Sequence, residues 1–279
     1  MTVATIWFEP EDDALWSVAD TRISSRGSDG VRISTDSAAK LFAIPVRCHR
    51  PPSASNFRRI PYYSTSIGFA FAGDVVPATM TVATAGTFLQ NLITLGPANP
   101  PKLREIAEVV RRLAVRFSKE KLFSSNGIHG TFEFAVFGWC PVLNSFAIYE
   151  LRPQKQQLLF DIDCLEHLPR DNQDVVSFGT GKPRLIEVMD RITKDGDEYR
   201  RTGRVPLLAA EALLKENKLD DVGGSLSIGL ADKTEFRLYA HVTPIEPGFP
   251  AAKMAFNGID LAEEVGTVGH HVVSINAIA

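Results

Sequence analysis

The chain has 279 residues, with 30 Lys and Arg against 33 Asp and Glu and a formal charge of -3. So balanced a chain offers no positive field for phosphate backbones or anionic lipid, which excludes nucleic acid and membrane surfaces as expected partners. At 44% hydrophobic and 23% charged it reads as a folded chain with a sizeable core, not a disordered one.

Thr2–Phe8 is β-branched and aromatic, Glu9–Asp13 is turn-like and Ala14–Ala19 is apolar, the pattern of a strand hairpin. Asp20-Thr21-Arg22 follows, then a flexible stretch holding Ser24, Ser25, Gly27, Ser28 and Gly30, and Ala39–Val46 resumes strand character. The basic run from Arg47 to Arg59 lies in a segment rich in Pro, Ser and Asn and reads as a solvated loop. Ile60–Ala72 predicts a strand ending at Gly73. Asp74 can cap a helix reaching about Leu95, apolar nearly all round and so expected to be covered on both sides. That stretch carries too many Thr residues for a membrane span. Leu103, Ile106, Val110, Leu113 and Phe117 predict an amphipathic helix.

Thr131–Trp139 and Ser145–Leu151 read as strands, with Gln157–Asp161 as a further candidate. Gly179-Thr180-Gly181 precedes a helix from about Pro183, another covers Val205–Asn217, and strands are expected at Gly224–Leu230, Glu235–Val242 and His271–Ile275. Strands in runs and helices in pairs suit two sheets with helices on their outer faces better than a doubly wound parallel sheet. The simplest division is a single domain, residues 1–279, with an inserted loop at about 45–60 and a C-terminal extension at about 247–279. Cys48, Cys140 and Cys164 fit neither a disulfide framework nor a metal site, and no export signal is visible, so a cytoplasmic location is expected. Gly179-Thr180-Gly181-Lys182 lacks the spacing of a phosphate-binding loop, and the adjacent His270 and His271 would point to opposite faces of a strand.

A threonine hydroxyl is a weak nucleophile and needs a base beside it. At the start of a chain it brings its own, an α-amine titrating near ~8 that can take the hydroxyl proton directly or through water. A nearby ammonium lowers that amine's pKa by like-charge repulsion, so such chemistry calls for a lysine, a carboxylate to hold it, and amides for the oxyanion.

Five segments bear on this in order: Thr2-Val3-Ala4-Thr5-Ile6 with Val18-Ala19-Asp20-Thr21-Arg22; Lys40-Leu41 with Ile44; Gly68-Phe69-Ala70-Phe71-Ala72-Gly73-Asp74; Gly179-Thr180-Gly181; and Gly223-Gly224-Ser225. Together they resemble the proteasome β-subunit-like family of N-terminal-nucleophile hydrolases, including its bacterial proteasome-related member. The resemblance implies an α+β fold, a four-layer αββα sandwich of two antiparallel sheets flanked by helices. It implies a threonine-type peptidase cleaving peptide bonds through Thr2, exposed by removal of Met1. Asp20 would orient Lys40, Lys40 would lower the amine's pKa, the Gly73 amide would form the oxyanion hole and Thr180 would stand for a supporting serine.

It further implies a homo-oligomeric ring assembly of two stacked rings acting on peptides or unfolded protein, a possible ATP-dependent unfoldase partner, and no cofactor. Phe71 would shape the first specificity pocket. Several positions depart from the family pattern. The first hairpin and the stretch between Asp20 and Lys40 are longer, Val222 replaces a serine before the two glycines, and Leu219 replaces an aspartate, with Asp220 and Asp221 adjacent. These departures keep two other readings in play, a non-proteolytic amidase for small amides and a catalytically silent ring-forming scaffold.

Overall fold

The structure is a computed structural model and describes residues 2–27, 29–52, 60–127, 129–156, 159–171, 174–195, 204–216, 219–244 and 252–278. In chain order its strands are β1 (Ala4–Glu9), β2 (Ala14–Asp20), β3 (Ile23–Gly27), β4 (Gly30–Thr35), β5 (Leu41–His49), β6 (Tyr63–Gly73), β7 (Leu92–Ile93), β8 (Phe132–Cys140) and β9 (Ser145–Gln156). They continue as β10 (Leu159–His167), β11 (Val175–Phe178), β12 (Leu226–Ala231), β13 (Phe236–Pro244), β14 (Ala252–Phe256), β15 (Ile259–Asp260), β16 (Thr267–Val268), β17 (His271–Val272) and β18 (Ala277–Ile278). Helices are α1 (Val75–Leu89), α2 (Leu103–Ser124), α3 (Lys182–Asp195) and α4 (Val205–Glu216), with one π-helical turn at Leu261–Val265.

The chain divides into two compact units, one of Met1–Leu41, Asp171–Leu230 and Leu238–Ala279, the other of Phe42–Arg170 and Ala231–Arg237. In the first, β1 and β2 form the expected hairpin in the register Ala4↔Ala19 to Glu9↔Ala14, its turn closed by Asp13 in the left-handed region. β2 is buried along its whole length, so its alternating side chains are covered on both faces. Trp7, Trp16, Val18 and Ile228 pack with Leu185 and Val188 of α3 and Leu207 and Leu213 of α4 into one core.

In the second unit Ile44, Phe69, Phe71, Phe134 and Tyr149 pack with Ala78, Ala85 and Leu89 of α1 and Ile106, Ala107 and Val110 of α2. The amphipathic α2 forms as its spacing predicts. Phe71 belongs to this core, fully buried and stacked on Phe42 with ring centroids 6.2 Å apart, rather than shaping a pocket.

The expected four-layer αββα sandwich of two antiparallel sheets is not what the chain forms. The described residues make four sheets: one of eight strands in the order β11-β1-β2-β12-β13-β14-β15 with β18 on β13, one of six in the order β10-β9-β8-β6-β5-β7, and the ribbons β3-β4 and β16-β17. Neither large sheet is purely antiparallel, because β18 joins β13 and β7 joins β5 in parallel. β7 comes from residues read as the end of the first helix, and the other additions from segments read as loop or tail. The stretch read as flexible folds as β3-β4 in the register Ile23↔Thr35 to Gly27↔Gly30, and the residues after 251 add strands at the sheet edge.

Asp74 caps α1 as expected, its carboxylate accepting from the Val76 amide at 3.0 Å. The helix stops at Leu89, short of Leu95, because Asn91 Nδ2 donates back to the Thr87 carbonyl at 2.8 Å and Leu92–Ile93 leaves to pair with Cys48 and His49. Its buried residues Pro77, Ala78, Thr81, Ala85 and Leu89 make one stripe, while Val76, Met80 and Phe88 on other faces are exposed. β5 extends through Arg47 to His49, residues expected in a loop, and 53–59 of the expected insertion lie outside the described residues. So do 157–158 of the candidate strand there, which begins at Leu159, and the expected last residue of α4, Asn217. Among the described residues no helix is long and apolar enough to cross a membrane.

Candidate functional site

The chain enters β1 through Thr2 and Val3, both 2% exposed. The Val3 amide donates to Asp20 Oδ1 at 3.0 Å, and the Val3 carbonyl accepts the Asp20 amide at 3.2 Å. The Thr2 carbonyl accepts the Gly181 amide at 3.1 Å. Thr2 is thereby held from both sides. β1 pairs with β11 up to Ala4↔Phe178, and the Gly179-Thr180-Gly181 turn continues from that last pair into α3. A side chain at Gly181 would come within 2.9 Å of Val3 Cβ and 3.0 Å of Val222 Cγ2, so a bare backbone is what lets the turn close on the first strand.

Lys40 precedes β5 and is buried, 1% exposed, with its Nζ donating to Asp20 Oδ1 at 2.8 Å. The same oxygen therefore receives the lysine and the amide next to Thr2. Oδ2 accepts from the Gly223 amide at 3.1 Å and the Arg22 amide at 3.3 Å. Burial pushes the Asp20 carboxyl up, while Lys40 and the amides of Val3 and Gly223 pull it back. Four N–H donors on two oxygens suit the carboxylate, which only accepts, and not the acid, which must donate. Burial also pushes the Lys40 ammonium below an ordinary lysine, against the stabilising pull of Asp20; Arg22 pushes it further down and Asp221 holds it up.

Around this pair runs a ring of contacts that the motifs alone did not reveal. Arg22 Nε donates to Asp36 Oδ1 at 2.6 Å and Arg22 Nη1 to the Asp220 carbonyl at 3.2 Å. The guanidinium holds the Asp36 carboxyl below the usual carboxylate range. Thr21 Oγ1 donates to the Asp36 carbonyl at 2.5 Å and accepts from the Ser225 amide at 2.7 Å. The signal for these roles was present, since Asp20-Thr21-Arg22 and Gly223-Gly224-Ser225 stood out as motifs. Their partner Asp36 lies in the longer stretch between Asp20 and Lys40, where no motif marks it.

Asp20 and Lys40 thus meet, with Thr2 tied to them through Val3, and Thr180 stands exposed in the turn whose next residue holds Thr2. Gly73 lies in the second unit, at the end of β6 opposite Phe132, an exposed turn residue with φ +118°. Val222 is 3% exposed and packs in the apolar core with Val3, while Asp221 is buried within electrostatic reach of Lys40. Among the described residues no group of three His, Cys, Asp or Glu is placed to hold a metal.

Gly224 tests how tightly the ring is built. Its φ is +78°, and an added Cβ would fall against the Asp36 carbonyl oxygen and 2.5 Å from Thr21 Oγ1. Gly127, at φ +79°, has open space around it. Gly127→Ala is expected to cost about 1 kcal/mol from backbone strain alone, and Gly224→Ala about 3 kcal/mol from strain plus collision, read as the shift in urea midpoint. Equal costs would mean that the ring yields freely.

No family model matches the chain, and no curated protein matches it. Solved structures similar to it include the Anbu complex of Pseudomonas aeruginosa, described as a helical assembly, at 16% identity and TM-score 0.52 over 85% of this chain and 86% of that one. Anbu, the ancestral beta-subunit, from Yersinia bercovieri is similar at 13% identity and TM-score 0.51 over 82% and 81%. Anbu from Hyphomicrobium sp. strain MC1 is similar at 15% identity and TM-score 0.51 over 91% and 87%. The expected place in the proteasome β-subunit-like family is therefore corrected. The neighbours are Anbu proteins, proteasome-like but distinct, and at these identities the likeness is one of fold alone. The motifs misled because each also serves local geometry, a glycine turn or a buried ion pair, that distantly related chains of one fold can share.

Proposed function

We propose that this chain is an N-terminal threonine hydrolase that cleaves peptide bonds, with Thr2 as nucleophile once Met1 is removed. The observation that carries the reading is the buried Lys40–Asp20 pair, one oxygen of which also binds the amide following Thr2. A cation without solvent around it acts at full strength on a neighbouring amine, lowering its affinity for a proton and stabilising charge on a neighbouring oxygen. Thr2 would attack the carbonyl and pass its proton to its own amine. The amine would return that proton to the leaving group, and water would then hydrolyse the ester. Gly73 is proposed as oxyanion donor and Thr180 as a support for the amine. The chain would work as a homo-oligomer, which the helical assembly described for the Pseudomonas neighbour supports; it would act on peptides or unfolded protein, and an ATP-dependent unfoldase would deliver folded substrates.

One observation favours a second reading. Val222 puts an apolar side chain where a hydroxyl would assist the amine, which suits a silent assembly or an amidase of narrow scope. Intact mass and N-terminal sequencing of the chain made in cells, before and after a threonine-directed acylating inhibitor, separate the possibilities. The expected result is a processed end beginning Thr-Val-Ala that gains one inhibitor mass, together with hydrolysis of fluorogenic peptides. A retained Met1 with no adduct would leave the silent assembly standing, and an adduct without peptide hydrolysis would leave the amidase.

A further inference from the structure

Four left-handed residues other than glycine occur among the described residues: Asp13, Asn126, Asn144 and Asn257. The first three sit in exposed turns, where such residues normally fall. Asn257 is 6% exposed, and its Oδ1 has no hydrogen-bond partner among the described residues. It joins β14 to β15 with Gly258 at φ +82°, a two-residue hairpin turn of the Asn-Gly kind. Burying such a turn with an unpaired acceptor is unfavourable, so something must make the burial worthwhile.

What the turn touches supplies the reason. A Cβ built on Gly258 would lie 3.0 Å from Ser225 Oγ, 3.2 Å from Ser37 Oγ and 3.4 Å from the Asp36 carbonyl. Ser225 and Asp36 are the two residues that hold Thr21 Oγ1. Asp36 also holds Arg22, and the Ala38 amide donates to the Thr21 carbonyl at 2.9 Å, two residues before Lys40. The layers therefore run from the Asn257–Gly258 turn through the 36–38 and 223–225 segments to Thr21 and Arg22, and then to Asp20 and Lys40. Both intermediate segments press on the carboxylate's own neighbours, one through Gly223 and the other through Arg22.

We propose that Asn257 and Gly258 are positioning residues for the Asp20–Lys40 pair, so that the C-terminal hairpin is a working part of the site and not an appendage. The positional claim stands on these contacts, and its bearing on catalysis rests on the function proposed above. Two readings on the full chain keep the two apart. The first follows the Lys40 ammonium by ¹⁵N NMR through a pH titration, and the second measures the rate at which the threonine-directed inhibitor acylates the chain.

Gly258→Ala puts a methyl against the two serine hydroxyls. Asn257→Gly removes the buried amide with no backbone penalty and serves if the first variant fails to fold. Ile259→Ala, one residue beyond and partly exposed, is the control. In Gly258→Ala and Asn257→Gly the Lys40 midpoint is expected to move by at least ~0.5 unit and acylation to slow about tenfold, with neither changed in Ile259→Ala. A Lys40 midpoint that stays at the wild-type value in a folded variant overturns the positioning role. A wild-type chain that never acylates, with the midpoint still moving in the variants, sinks the proposed function and leaves the positioning intact.

Discussion

Replacing Asp20 by Asn is expected to cost about 3–5 kcal/mol of folding stability although the side chain keeps its shape. Asp20 Oδ1 receives Lys40 and the Val3 amide, and Oδ2 receives the amides of Gly223 and Arg22. An Asn side chain has one acceptor oxygen, and its NH₂ must face either Lys40 Nζ and the Val3 amide or the amides of Gly223 and Arg22, of which Arg22 keeps the Gly223 carbonyl as a second acceptor at 3.0 Å. At the same time Lys40, 1% exposed, loses the carboxylate that its Nζ binds. Urea unfolding monitored by far-UV signal gives the size, and an unchanged m-value shows that the same surface is exposed on unfolding.

The companion variant Lys40→Met removes the cation and leaves the carboxylate its three amide donors. In the double variant the ammonium is no longer stranded, so the two penalties do not add. The cycle is expected to return a coupling of about 2–3 kcal/mol. A cost below about 1 kcal/mol for Asp20→Asn would mean that water reaches the pair and that the cation lacks the strength the proposed chemistry asks of it.

The first hairpin, α2 and the Asp74 cap were legible in the sequence because each is written locally. Alternation around Glu9–Asp13, the three-and-four spacing from Leu103 and a carboxylate just before an apolar run need no distant partner. The β3-β4 ribbon was not legible, since Ser24, Ser25 and Gly27 have turn chemistry and pair only because Ile33, Arg32 and Gly30 return beside them. Nor was the end of α1 legible. Leu92 and Ile93 continue a helical pattern, and their departure is decided by the edge of β5, a contact invisible in sequence.

The site divides in the same way. Asp20 and Lys40 were named from sequence through a resemblance that proved to be one of fold. Gly223, which binds the Asp20 carboxylate, and Thr21, Asp36 and Gly258, which lie in the layers behind it, come from four separate stretches of chain. Their roles are backbone amides, carbonyls and close approaches. Such roles leave little mark on residue type, apart from the glycines, and a glycine alone does not say what it stands against.

Thr2→Ala is expected to abolish turnover, lowering kcat/KM by at least ~10⁴-fold, with no adduct from a threonine-directed inhibitor. Alanine is as small as threonine at the first position, so removal of Met1 and the free amine should both survive. The hydroxyl and one methyl are all that is lost. The Thr2 carbonyl bond to Gly181 and the Val3 amide bond to Asp20 are made by backbone and are untouched. Stability should therefore change by no more than about 1–2 kcal/mol, and the loss of activity cannot be charged to unfolding. Thr2→Ser keeps a hydroxyl on the same carbon and should recover a measurable part of the rate. Its adduct would form at the same residue, read by mass after proteolysis. Peptide hydrolysis that persists in purified Thr2→Ala at the wild-type rate would place the nucleophile elsewhere in the chain, and the buried cation beside β1 would then be a structural ion pair and nothing more.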